Sequence, residues 1–149
     1  MTAAELETYL HTHIPLSRAM AVQVISTGDD KVVLAAPLAP NINHRETVFG
    51  GSASALAILS AWSLLHLRLT ASGQPSRVVI QRNSMDYLAP ISGAFTATAT
   101  TPEAAAWERF MRTLTRRGLA RITISSALEF EGELAGELSG EFVAFGGDR

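Results

Sequence analysis

The sequence predicts an α+β fold in which an antiparallel β-sheet wraps around one long central α-helix. Three observations predict it. Residues 47–67 contain no Asp, Glu, Lys or Arg, and a helix apolar on every side belongs where nothing polar faces it. About six strand-like runs surround this segment, joined mostly by short turns, which favour antiparallel pairing. The same segment is rich in small residues (Gly51, Ser52, Ala53, Ser54, Ala55, Ala57, Ser60 and Ala61), so strands can press closely on it.

The elements follow in order. Thr2 and Glu5 stand in capping-box spacing, which predicts a short helix over residues 3–12 with Leu6 and Leu10 inward and Pro15 as its stop. AVQVIST and KVVLAAPL read as two strands around the turn residues Gly28, Asp29 and Asp30. A polar loop over residues 39–49 leads to the long helix, which is expected to begin near Gly50. After Gly73 and Pro75, RVVIQRNSMDYLAP and ISGAFTATATT read as strands. Thr101, Pro102 and Glu103 make a helix start. The helix they open places Trp107, Phe110, Met111 and Leu114 on one stripe, with Gly118 as its stop. RITISSALEFEG and ELSGEFVAF supply the last two strands.

The 149 residues, 47% of them hydrophobic, fit one domain, 1–149, with a sizeable core. A net charge of −2 argues against nucleic acid as a partner. With no cysteine in the chain, disulfides, thiolate nucleophiles and cysteine-bound zinc are excluded. The first residues lack the basic and apolar regions of a secretory signal, so the expected location is the cytoplasm. Residues 47–67 reach the length of a membrane span. Four serines, a glycine pair and His66 within them, and no second such segment, favour a buried core helix and no membrane.

Two stretches carry a family resemblance, NINHRETVFGGS at residues 41–52 and MDYLAPISGAFTATAT at residues 85–100. Together with the wrapped apolar helix they resemble the hotdog fold, the first as its loop and helix start, the second as its third and fourth strands. The chain looks most like the thioesterase-like domain that also occurs fused to a GNAT acetyltransferase-like domain, a branch similar to malonyl-ACP decarboxylases of fatty acid synthesis. The resemblance implies acyl thioesters of coenzyme A or acyl carrier protein as substrates, no cofactor beyond the substrate's own phosphopantetheine, and a homodimer with its site between subunits. It places Asn43 at a polar position of the loop and Phe49 where a histidine is common. It puts Ile58 where many thioesterases carry a carboxylate base.

The residues themselves allow a definite chemistry. The amides of Gly50 and Gly51 lie at a helix N-terminus, where the first N–H groups lack intrahelical partners and the dipole is positive. Glycine admits a thioester close to that backbone. With an Asn43 N–H they would form an oxyanion hole. Hydrolysis needs a base to activate water, whereas decarboxylation of malonyl-ACP to acetyl-ACP needs only donors for the enolate oxygen, and an apolar wall of Phe49 and Ile58. Hydrolysis by an acyl-CoA or acyl-ACP thioesterase is the alternative, with Asp86 as reserve acid or base. A non-catalytic acyl-thioester-binding module is a third reading.

Thr47 and Ser52 read as hydrogen bonders of the helix start beside the substrate, and Arg45 as a partner for a phosphate or malonyl carboxylate. Asn43 can equally serve as a loop-capping residue. A Ser52–His44–Asp86 triad can be drawn, but no GxSxG elbow surrounds the serine. His11 and His13, two apart, face different sides of a helix and predict no metal site. Arg109, Arg112, Arg116 and Arg117 share a helix face that suits either solvent or the acidic surface of a carrier protein.

Overall fold

The computed structural model describes residues 1–74 and 76–146; the expected turn residue Pro75 lies outside them. Helix α1 (Ala3–His13) is capped as its sequence dictates, the Thr2 hydroxyl accepting from the Glu5 N–H at 3.1 Å, and Leu6 and Leu10 are fully buried. Pro15 does more than stop this helix. It opens a second, α2 (Pro15–Ala19), because at the first helical position its missing N–H forfeits no bond.

Strands β1 (Gln23–Thr27) and β2 (Lys31–Ala36) form the expected hairpin. A single 3-10 turn (Ala39–Asn41) and a polar loop lead to α3 (Gly50–Ala71). Then come β3 (Ser76–Tyr87), β4 (Phe95–Thr100), α4 (Ala104–Arg117), β5 (Leu119–Phe130) and β6 (Glu133–Gly146). Among the described residues the strands form one antiparallel sheet in the order β1-β2-β4-β5-β6-β3. The β5–β6 hairpin turns on Glu131 and Gly132, both at positive φ (52° and 79°), which matches the twist of the flanking strands.

Several expected boundaries move, β6 for one beginning at Glu133, four residues before the expected ELSGEFVAF. β4 starts only at Phe95. Helix α4 starts at Ala104, not at Pro102, because the Thr101 hydroxyl donates to the Asp29 and Asp30 carbonyls (3.0 and 2.9 Å) and so braces the β1–β2 turn instead of capping. The end of α4 is as expected: Gly118, at φ 71°, closes it by donating to the Leu114 carbonyl at 2.8 Å. Phe110 and Leu114 are buried, the Arg68 guanidinium lies 4.1 Å from the centre of the Trp107 ring, and the four arginines of the outer face are exposed.

The sheet packs along α3, as its small residues predict. Ser60 and Ser126 approach to 2.6 Å between buried hydroxyls, a contact that longer side chains would prevent. By length and composition alone α3 could cross a membrane, yet 56% of its apolar window is buried within the fold. A second flank meets α1 through a stack of rings. Tyr9 and His66 centres lie 4.7 Å apart, Trp62 and His66 4.8 Å, and Tyr9 and His13 4.3 Å. A third flank, carrying Ala55, Ile58 and Trp62, is only partly covered.

Candidate active site

The loop before α3 is built by one side chain. The Asn43 Oδ1 accepts from the backbone N–H groups of Arg45 (2.8 Å) and Thr47 (3.1 Å), while its Nδ2 donates to the Thr47 hydroxyl at 2.9 Å. Asparagine organises turns in this way. The Asn43 N–H donates to the Thr47 carbonyl (2.8 Å), and an Ile42–Val48 bridge closes the loop. Its base is anchored too. Val48 N–H donates to the Ile91 carbonyl and Phe49 N–H to the Asn41 carbonyl, each at 2.8 Å. The buried Asn41 amide itself donates to the Met20 and Pro37 carbonyls.

This frame delivers Phe49 to the N-cap of α3 with no side-chain cap. The first intrahelical bond runs from the Ala53 N–H to the Phe49 carbonyl at 3.0 Å, so the amides of Gly50, Gly51 and Ser52 precede it and have no partner within the helix. The exposed Phe49 ring lies across Gly51, where a Cβ would collide with it. The Tyr87 ring lies against Gly50, and its hydroxyl donates to the Gly50 carbonyl at 3.2 Å. A cleft of about 330 Å³ opens here, walled by Val48, Gly50, Tyr87, Pro90 and Ile91.

Over residues 3–146 the chain matches the family described as "Putative thioesterase (yiiD_Cterm)". The chain belongs to this family. It is similar to a protein of unknown function from Chlorobaculum tepidum, with 26% identity, a TM-score of 0.90, and coverage of 96% of this chain and 93% of that one. A "putative thioesterase" from Shewanella oneidensis is 26% identical with a TM-score of 0.85, covering 96% of each chain. A thioesterase from Haemophilus influenzae, at 14% identity, covers 98% of this chain and 92% of that one with a TM-score of 0.72, and shares the fold. The fold is the hotdog arrangement of sheet and central helix, and the family is one of acyl-thioester enzymes.

The helix start offers backbone N–H donors with no side-chain cap. Ile58 lines an apolar cavity of about 270 Å³ beside α3. Neither this cavity nor the helix-start cleft is lined by an Asp, Glu or His among the described residues. Asp86 stands on the outer face of the sheet, in a shallow polar groove with Ser84, Glu137 and Ser139. The reason is a bulge. The β3–β6 register shifts between Ile80 and Arg82, which inverts the alternation of β3 so that Met85 packs on the core and Tyr87 reaches Gly50. Asp86 between them points away.

The Ser52–His44–Asp86 triad is therefore not assembled. Thr47 bonds to Asn43 and not to the helix start, and Arg45 and His44 are exposed on the loop. His11 meets the Val22 carbonyl at 2.8 Å while the His13 ring packs tilted against Tyr9, so they serve separate contacts. Tyr87 is the site residue that reading the sequence missed; its position in the stretch MDYLAP was visible, but the bulge that turns it inward was not.

Proposed function

We propose that this protein decarboxylates malonyl-ACP to acetyl-ACP, acting as a cytoplasmic homodimer. One observation carries the reading: the helix start at Gly50, with no side-chain cap, opens on a cleft lined among the described residues by no Asp, Glu or His. The C2–carboxylate bond breaks, its electron pair forms the C1=C2 bond of an enolate, and carbon dioxide leaves. The negative charge gathers on the thioester oxygen, where fixed N–H donors stabilise it most. A proton from solvent then returns to C2. The second hydrogen of the Asn43 amide would be the further donor, and Arg45 on the loop would meet the phosphate of the phosphopantetheine arm. Val48, Pro90 and Ile91, the apolar walls of the helix-start cleft, would keep the malonyl carboxylate out of water. The exposed length of β3, paired on one side only, supports the dimer.

Hydrolysis is the second reading, favoured by the family to which the chain belongs. Its base would come from the partner subunit.

Intact-protein mass spectrometry of carrier protein, offered as malonyl-ACP and as a long acyl-ACP, separates the readings. Decarboxylation gives acetyl-ACP; hydrolysis gives the free carrier thiol; a binding module changes neither. Gly50→Pro removes one donor at the first helical position. Phe49, at ψ 134°, already has the extended backbone that precedes proline. Its turnover is expected to fall about 100- to 1,000-fold, while Gly50→Ala, which keeps the N–H, stays near the parent. Asn43→Asp keeps the acceptor for Arg45 and Thr47 but has no N–H, so its loss of activity with an intact fold assigns Asn43 as a donor. Full activity in Gly50→Pro would sink the oxyanion role.

A further inference from the structure

Gly51, Ala55, Ile58 and Trp62 recur at the spacing of one α-helical face. Along that face the side chains grow with distance from the amide donors, from none through methyl and sec-butyl to an indole. The cavity of about 270 Å³ is lined by the last three together with Met20, Ile80 and Phe142. Trp62 is held still. Its indole N–H donates to the Val78 carbonyl at 2.9 Å, and its ring stacks on His66 at 4.8 Å with planes 10° apart. Tyr9 stacks from α1 at 6.3 Å.

Resting on the acyl-thioester chemistry assigned to the helix start, we propose that this stripe is a channel for an apolar acyl tail, and that Trp62 is the wall that sets the longest tail accepted. A thioester carbonyl on the Gly50 and Gly51 amides directs its acyl group down the stripe. Gly51 to Trp62 spans about 16 Å at the helical rise, and a helical side chain reaches back toward the N-terminus, which leaves room for an unbranched chain of roughly ten carbons. A malonyl group fills only the first turn of that length. The site therefore also takes medium-chain acyl thioesters, whose tails displace water from an apolar cavity.

The test uses unreactive ligands, a series of thioethers from S-ethyl to S-hexadecyl coenzyme A, with affinity read by calorimetry on the full chain. Affinity is expected to rise about fourfold per methylene and to level off at medium length. In Trp62→Ala the rise continues to longer chains. Ala55→Leu, which leaves the indole and its partners in place, stops it at shorter ones. Circular dichroism checks both folds, and Ala55→Leu decides the matter alone if Trp62→Ala does not fold. If the ethyl and hexadecyl thioethers bind equally, or neither substitution moves the plateau, the channel is refuted while the helix-start reading stands. If no thioether binds at any length, the channel is likewise refuted. Malonyl turnover, measured separately, reports on the reaction alone.

Discussion

His66 sits half-buried in the ring stack between α1 and α3, facing Tyr9 and His13 of α1, with Trp62 as its neighbour on α3. Burial first, and the nearby His13 second, lower its pKa from the ordinary 6.5. The fold therefore favours the neutral ring. That contribution is fully present above pH 6.5 and is lost as pH falls through the lowered folded value. Melting temperature, followed by circular dichroism from about pH 7.5 to about 5, is expected to drop in the parent. It should drop less in His66→Phe, which keeps a ring in the stack but cannot take a proton. Equal slopes would mean that His66 does not govern acid stability.

Glycine is used for two different purposes in the elements that build the site. At Gly136 in β6, an added Cβ would meet the Met85 Cε at 2.9 Å, the Asp86 carbonyl oxygen at 3.1 Å and a Leu128 methyl at 3.2 Å. Backbone cannot retreat, so Gly136→Ala is expected to lower stability by about 1–3 kcal/mol in urea denaturation. At Gly51 the colliding atoms belong to the Phe49 ring, an exposed side chain with room to swing. Gly51→Ala should fold with stability close to the parent. Similar losses at both positions would show that the Phe49 ring is fixed.

At the scale of the whole molecule, part of the exposed apolar surface lies beside the β3 edge of the sheet. Val79 and Tyr87 on β3 and Leu88 just beyond it are about half exposed or more (49%, 58% and 53%), as is Phe49 at 57%. β3 is 12 residues long and, among the described residues, has β6 as its one neighbouring strand. A long edge with adjoining apolar side chains is a template for pairing with a second copy. Light scattering after size exclusion is expected to give a dimer for the parent. The Val79→Asp/Leu88→Asp double variant should run as a monomer, losing activity if the partner completes the site. A monomeric parent would overturn the edge-strand dimer.

Local chemistry was legible in the sequence because it acts between near neighbours. Thr2 caps α1, Gly118 ends α4, Leu6 and Leu10 turn inward, and the small residues of α3 announce the sheet that packs on it. The glycine pair at the helix start and the apolar Phe49 and Ile58 were equally visible. Only the tertiary structure decided how the site is finished. Simple alternation from Val78 and Ile80 would have turned Asp86 toward the helix; one extra residue in the β3–β6 ladder sends it outward and brings Tyr87 to Gly50. The Asn43 side chain spends its acceptor and one donor inside its own loop, and Thr101 is drawn from its helix by carbonyls about 70 residues away in the chain. A bulge's register and the competition for a hydrogen-bonding side chain depend on partners distant in sequence, and those partners meet only when the chain has folded.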